Sequence, residues 1–115
     1  MPTFAYEFND ENAQEDFLPP VSFPYGAAHA SEIQYLFGLP NAAFPGTPSP
    51  QQLQLAAIMK ADWTNFAKRG FPSPFWPLFN DLTQTMESLA PPVPRTQTDF
   101  ASVHKCAFWT ALESA

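Results

Sequence analysis

Two histidines and a single cysteine are the side chains of this 115-residue chain that are best suited to nucleophilic or acid–base chemistry. His29 follows a turn of small residues that begins at Gly26, and Ser31 and Glu32 come soon after it. An imidazole exchanges protons near neutral pH, and loops are where proteins aim a general base at a substrate. His29 is therefore the candidate general base. The alternative is that it has a structural or surface role, which is the commoner case for a lone histidine.

Ser31 and Glu32 lie within one turn of His29, which makes them poor partners for it in a catalytic triad. Triad groups converge from separate segments of a chain, and close neighbours on one turn rarely do so. The residues from Ser31 to Phe37 favour a short helix that ends at Gly38. We interpret Ser31 as its N-cap and Glu32 as a charge at the positive end of its dipole, in preference to a direct part in catalysis.

His104 and Cys106 lie near the end of the sequence, inside a helix that we predict over residues about 101–112. Together with His29 and Glu32 they would make a four-residue metal site, but their spacing matches no usual zinc pattern. We therefore predict no metal and no cofactor. A single cysteine can form no disulfide within the chain, and Cys106 is interpreted as a small buried apolar residue.

Alternation of side chains predicts a strand in residues 3–8. The bulky side chains Phe4, Tyr6 and Phe8 recur at every second position there, which places them on one face. Acidic side chains concentrate in residues 7–16, which we interpret as a solvated loop. Helical spacing near the end of the sequence predicts an inward face made of these residues: Val103, Ala107, Phe108 and either Ala111 or Leu112.

The clearest predicted element is a long amphipathic helix over residues about 50–69. Ser49 and Gln52 make a capping box around Pro50, and Gly70 supplies the left-handed residue that ends a helix. One apolar stripe runs along this helix: Leu55, Ile58, Met59, Trp63, Phe66 and Ala67. The sequence thus predicts an α/β chain with one or a few strands, two main helices and proline-rich loops.

Composition and charge exclude several classes of function. Lysine and arginine number only five against eleven acidic residues, which gives a formal net charge of −6 and too few cations to track a phosphate backbone. Nucleic-acid binding is therefore not expected. The sequence has no apolar run of about 18 residues, so no membrane span is expected. The first residues lack the basic and apolar runs of a signal peptide, and nothing in the sequence predicts a compartment.

Several motifs, in order along the chain, resemble the type-B carboxylesterases, a family of α/β-hydrolases that includes cholinesterases and bacterial para-nitrobenzyl esterases. The segment from Gly26 to Gly38, Gly-Ala-Ala-His-Ala-Ser-Glu-Ile-Gln-Tyr-Leu-Phe-Gly, is similar to the family's catalytic-histidine segment. Further matches cover almost the whole chain: Tyr6-Glu-Phe8, Trp63-Thr-Asn-Phe66-Ala-Lys-Arg-Gly70, Trp76-Pro77-Leu-Phe79 and His104-Lys-Cys106-Ala-Phe108-Trp109. Each motif alone is weak, but the ordered set is specific. The link between Gly70 and Trp76 is shorter than the family's.

The resemblance implies that residues 1–115 are the C-terminal part of a carboxylesterase domain with an α/β-hydrolase fold. In this family the histidine of that segment is the base of a Ser-His-Glu triad that hydrolyses carboxylic esters. His29 is therefore the implied catalytic residue, with Glu32 and Ser31 as candidate supports. The base takes the serine's proton as the serine oxygen attacks the ester carbonyl, and then passes that proton to the leaving alcohol. In some members a cysteine near the position of Cys106 pairs with one upstream.

The other parts of such a triad do not occur in this sequence. It contains no Gly-x-Ser-x-Gly nucleophile elbow and no His-Gly-Gly oxyanion loop, and the family's acid precedes the strand predicted at residues 3–8. We therefore expect a fragment that contributes the base, is inactive alone, and meets its small ester substrate only with the missing N-terminal part of the fold. Two alternatives stay open: a non-catalytic esterase-like interaction module, and a truncated reading frame without a function of its own.

Overall fold

The computed structural model describes residues 1–14, 18–19, 21–38 and 47–114, in which short strands and helices alternate. In chain order the elements are β1 (Tyr6–Phe8), α1 (Ile33–Phe37), α2 (Pro50–Arg69), β2 (Met86–Leu89), β3 (Arg95–Gln97), α3 (Phe100–Val103) and α4 (Cys106–Glu113). The predicted α/β class with a few strands is confirmed. None of the helices in these ranges has both the length and the apolar content needed to cross a lipid bilayer.

The strands of the described residues form one sheet in the order β1-β2-β3. β1 runs parallel to β2, with Tyr6 opposite Glu87 and Phe8 opposite Leu89, whereas β3 lies antiparallel to β2. One further backbone hydrogen bond, from the Asn9 N–H to the Leu89 carbonyl (2.9 Å), continues the parallel pairing. Parallel neighbours need a long crossover connection, and α1 and α2 both lie on it.

The alternation predicted for β1 is confirmed by its aromatic contacts. Phe4 packs edge-to-face on Phe66 of α2 with 6.1 Å between ring centroids, and Phe8 packs in the same way on Tyr35 of α1 at 5.1 Å. Perpendicular pairs of this kind add stability beyond the apolar area that they bury. Because side chains two positions apart share a face of a strand, β1 turns its aromatic face to α1 and α2, and Glu7 lies on the other face.

The predicted long helix is confirmed as α2. Its N-terminus is a capping box, in which the Ser49 hydroxyl accepts from the Gln52 N–H (3.1 Å) and the Gln52 side-chain oxygen accepts from the Ser49 N–H (2.8 Å). Gly70 ends the helix with a φ of 80°, and its N–H donates to the Phe66 carbonyl (2.8 Å). A glycine adopts this left-handed conformation without the steric cost that a Cβ atom brings.

The apolar stripe of α2 is buried near its middle and open toward its end. Leu55 and Met59 are fully buried, and with them the described core contains Ala13, Tyr35, Trp76 and Leu89. Trp63 packs on this core while only half-buried. Phe66, one turn further on, is 51% exposed. The second half of α2 therefore keeps an accessible aromatic surface.

A C-terminal helical region is present where residues about 101–112 predict it, but the prediction of one continuous helix is wrong. The chain forms two short helices there, α3 and α4, because Lys105 lies in the left-handed region with a φ of 55° and interrupts the helical hydrogen bonding. The predicted inward face is also wrong, since its members are exposed: Val103, Ala107, Phe108, Ala111 and Leu112. Helical spacing identifies apolar positions, whereas burial of a helix face depends on a neighbouring element to cover it.

Candidate active site

His29 lies on a turn held by backbone hydrogen bonds between small residues. The Ala28 N–H donates to the Gly26 carbonyl (3.0 Å), and the Ser31 N–H donates to the Ala28 carbonyl (3.2 Å). Gly26 and Ala30 flank the histidine with φ angles of 67° and 71°, both in the left-handed region. That region costs an alanine roughly 1 kcal/mol, so surrounding contacts must hold the turn in place. The turn presents an exposed imidazole on a defined backbone.

The N-cap role predicted for Ser31 is wrong. The Ser31 hydroxyl donates to the Ala28 carbonyl (2.7 Å), and the residue is only 2% exposed. Glu32 occupies the N-cap position of α1 and makes no side-chain cap hydrogen bond. In the described residues neither side chain hydrogen bonds to His29, and the Ser31 hydroxyl closes the histidine turn.

Gln34 and Tyr35 of α1 tie the histidine turn to the rest of the molecule. The Gln34 side-chain amide donates to the carbonyls of Ser31 (2.9 Å) and Gln14 (2.8 Å). Tyr35 is buried, and its hydroxyl donates to the carboxylate of Asp10. Since Gln14 and Asp10 both belong to the segment after β1, α1 is anchored to the end of that strand.

Asp10 is buried, at 3% exposure, and does not lie in a solvated loop as the charge pattern predicts. Besides the Tyr35 hydroxyl, it accepts hydrogen bonds from the Gln52 side-chain amide (2.9 Å) and the Asn12 backbone N–H (3.0 Å). These three donors replace the water that a carboxylate loses on burial. Asp10 therefore joins the end of β1, helix α1 and the N-terminus of α2 at one point.

Tyr35 acts as a permanent hydrogen-bond donor in this network. Burial raises the pKa of its hydroxyl, and the hydrogen bond to Asp10 and the negative charge of that carboxylate raise the pKa further. A hydrogen bond involving Gln52 acts in the opposite direction without cancelling these effects. The tyrosine consequently positions other groups and does not exchange protons near neutral pH.

The second histidine belongs to a separate polar cluster on the other face of β1. Nε2 of His104 lies 2.5 Å from Oε1 of Glu7, and the other Glu7 oxygen accepts from the side-chain amides of Gln97 (2.7 Å) and Asn9 (3.1 Å). Burial raises the pKa of Glu7, but its three hydrogen-bond donors and the charge of His104 lower it below the ordinary value of 4.5. Glu7 is therefore held in its ionised form.

A carboxylate beside an imidazole resembles the acid and the base of a hydrolase triad, without the nucleophile. In the described residues, however, no hydroxyl or thiol hydrogen bonds to the His104 ring, so this pair connects β1 to the C-terminal helices. Cys106 is a free thiol and is half-buried. Within the same ranges, no three side chains of His, Cys, Asp or Glu come together in a way that would hold a metal ion.

Glu7 and Asp10 are the polar residues that the sequence did not single out. Their main partners lie 97 and 25 positions away, at His104 and Tyr35. No local pattern in one sequence connects residues so far apart. The available signal for Asp10 is its position two residues after the predicted strand, whereas Glu7 lies inside that strand.

A family model for the carboxylesterase family matches residues 1–109 of this chain. Carboxylesterase 3 from Pongo abelii is 33% identical over 120 residues, which cover 95% of this chain and 20% of that protein. Bile salt-activated lipase from Homo sapiens is 41% identical over 71 residues, which cover 62% of this chain and 9% of that protein. The chain thus spans about a fifth of the length of the carboxylesterase relatives that it matches.

Two solved structures show the same fold. A PNB esterase superposes with a TM-score of 0.69 at 24% identity, over 90% of this chain and 21% of that one. A thermophilic PNB esterase gives a TM-score of 0.69 at 23% identity over the same fractions. The predicted α/β-hydrolase fold is therefore confirmed for this segment. Since the family match covers nearly the whole chain, this protein belongs to the type-B carboxylesterase family.

Proposed function

We propose that this chain supplies His29 as the general base of a carboxylic ester hydrolase. The observation that supports the proposal is the conformation of the turn around His29. His29 is exposed, while Ser31 and Gln34 beside it are held by hydrogen bonds to backbone carbonyls. A general base needs an accessible ring nitrogen on a fixed backbone, because a small displacement of the base lowers the rate of catalysis steeply.

In this role His29 moves one proton twice. A ring nitrogen removes the proton of a serine hydroxyl as the serine oxygen attacks the ester carbonyl, and the same nitrogen then gives that proton to the leaving alcohol. Water repeats the cycle and releases the acid. The serine, the acidic partner of the imidazole and the oxyanion donors come from a preceding part of the fold, as in the order Ser, acid, His of α/β-hydrolases.

The proposal predicts that the isolated chain is inactive as an esterase. It has no Gly-x-Ser-x-Gly elbow, and its buried Ser31 donates to a carbonyl instead of to an imidazole. Incubation with a fluorophosphonate probe should therefore leave the purified chain unlabelled. Turnover of a p-nitrophenyl ester should not exceed that of free imidazole at the same concentration.

The catalytic part is tested in a chimera in which this chain replaces the matching fifth of a PNB esterase. We expect the chimera to hydrolyse p-nitrophenyl acetate, and His29→Ala to lower kcat by at least about 1,000-fold, because triad members act as a unit. His104→Ala is the matched control, since it removes the other exposed imidazole, and it should change kcat by only a few-fold. Equal losses in the two variants would exclude His29 as the base.

The alternative of a non-catalytic interaction module makes the opposite prediction. If the segment only builds the fold, a soluble, folded chimera stays inactive even though the host part keeps its serine and acid. In that case His29→Ala changes neither labelling by the fluorophosphonate nor turnover. The alternative of a truncated reading frame predicts that the isolated chain shows no cooperative thermal melt.

A further inference from the structure

An aromatic pocket opens between β1, the second half of α2 and the loop that follows α2. Its volume is about 160 Å3. Its walls are mainly aromatic, with one proline and one carboxylate among them: Phe4, Tyr6, Trp63, Phe66, Trp76, Pro72 and Asp62. The pocket lies on the aromatic face of β1, away from the Glu7 and His104 pair on the opposite face.

Three of the rings stand nearly perpendicular to one another. Tyr6 and Trp63 are 5.1 Å apart with 70° between their planes, Trp63 and Trp76 are 5.8 Å apart with 63°, and Tyr6 and Trp76 are 6.1 Å apart with 85°. The face of an aromatic ring carries negative potential. All three rings line the pocket. Aromatic rings that border a pocket attract alkylated ammonium groups through the negative potential of their faces.

Asp62 adds a full negative charge to this corner. It is only 6% exposed, and no hydrogen bond or ion pair within the described residues involves its carboxylate. Burial raises the pKa of its carboxyl group, because the charged form is less well hydrated there than in water. A buried charge in this situation is costly unless a positive group neutralises it.

Glu87 increases the negative potential beside the pocket. It lies opposite Tyr6 in the sheet, is 7% exposed, and has one carboxylate oxygen without a hydrogen-bond partner in the described residues. Burial raises its pKa, and the charge of Asp62 raises it further. Two largely buried carboxyl groups that affect each other therefore lie at the pocket without an ion pair among the described residues.

We propose that the aromatic pocket binds a small alkylated ammonium cation, with Asp62 as its counter-charge and the rings of Tyr6, Trp63 and Trp76 around its alkyl groups. A neutral apolar ligand would leave Asp62 unpaired. A hard metal cation requires six or so oxygen ligands, and the walls offer one carboxylate among rings. An alkylated ammonium satisfies both the charge and the apolar walls. The site is separate from the histidine turn and does not depend on the proposed esterase function.

Tetramethylammonium is the probe, titrated into the full 115-residue chain against a sodium chloride background of equal ionic strength. The indole N–H signals of the tryptophans are followed by NMR. We expect saturable shifts of the Trp63 and Trp76 signals, while the Trp109 signal on α4 stays in place. tert-Butanol has nearly the same shape and no charge, and it should cause no saturable shift.

Two substitutions separate the contributions of charge and ring. Asp62→Asn keeps the shape of the pocket and should weaken tetramethylammonium binding by at least about tenfold, because it removes the counter-charge. Trp63→Leu should weaken binding by about five- to thirtyfold through the loss of a ring face. Asp81→Asn, at an exposed position outside the pocket, is the matched control and should leave the affinity unchanged.

The proposal is overturned by any of three results. The first is the absence of a saturable shift of the pocket tryptophans with tetramethylammonium. The second is a tert-butanol response as strong as that of the cation. The third is an Asp62→Asn variant that keeps a dispersed spectrum and binds the cation as well as the unchanged chain does.

Discussion

The Tyr35 hydroxyl donates a hydrogen bond to the Asp10 carboxylate, and this buried contact connects α1 to the segment that follows β1. The same carboxylate oxygen also accepts from the Gln52 side-chain amide, whose oxygen takes part in the capping box of α2. Helix α1, which follows the His29 turn, is therefore held at Asp10, where the end of β1, α1 and the N-terminus of α2 meet. Loss of the hydrogen bond between Tyr35 and Asp10 should therefore affect both the stability of the fold and the position of the His29 imidazole.

Tyr35→Phe is expected to destabilise the chain by about 1–3 kcal/mol, because it leaves a buried carboxylate with one donor fewer. Urea denaturation at neutral pH measures the change. Tyr25→Phe is the matched control, since the Tyr25 hydroxyl donates to the carbonyl of Pro19 at the surface. Its cost should stay within about 0.5 kcal/mol. Similar losses in the two variants would contradict a special role for the Asp10 contact.

Ser49→Ala is expected to cost about 1 kcal/mol, because it removes the hydroxyl that accepts from the Gln52 N–H at the start of α2. The free energy of unfolding from chemical denaturation is the readout. Ser22→Ala changes an exposed serine in a bend, outside any helix, and serves as the control. The prediction is wrong if both substitutions leave the unfolding midpoint where it is.

Glu7→Gln is expected to lower stability at neutral pH and to lose this effect in acid. The folded pKa of Glu7 lies below the ordinary 4.5, so its contribution is present above the unfolded pKa and is lost as the pH falls through the folded value. Urea melts at several pH values should show the difference between the two proteins shrinking below 4.5. Glu11→Gln, at an exposed position, is the control. A difference that is independent of pH would rule out this linkage.

Asp62→Asn is expected to raise stability at neutral pH. Burial raises the folded pKa of Asp62 above the ordinary 3.8, so the unchanged chain loses stability as the pH rises through the folded value, whereas the amide does not titrate. The gain should appear on going from acid to neutral pH and vanish below 3.8. Thermal melts across this range measure it. Glu87→Gln should show the same sign, and a lower melting temperature of Asp62→Asn at neutral pH would refute the argument.

The features predicted correctly from the sequence are those whose signals are local. The capping box of Ser49 and Gln52, the ending at Gly70 and the apolar spacing between them define α2 without reference to any other element. The alternation of Phe4 and Phe8 likewise defines the face of β1, although the strand itself is only Tyr6–Phe8 and not residues 3–8. The histidine turn stands out because a specific motif surrounds it.

The features missed or mistaken depend on distant neighbours. β2 lies in a polar stretch without alternation, and it is a strand because β1 and β3 pair with it on its two sides. The C-terminal helix was expected to be continuous, and it is interrupted at Lys105. Ser31 was expected to cap α1, and it is buried with its hydroxyl on the Ala28 carbonyl. In each case hydrogen bonding or packing outweighed the local preference.

The sequence by itself determined the family, the long helix and the turn of small residues around His29, since motifs and periodicity are properties of short segments. Only the tertiary structure decided which polar groups meet. Asp10 hydrogen bonds to Tyr35, and Glu7 hydrogen bonds to His104. Asp62 lies in an aromatic pocket without a counter-charge in the described residues. The reason is physical: a buried charge is satisfied or left unsatisfied by groups that packing brings from distant parts of the chain.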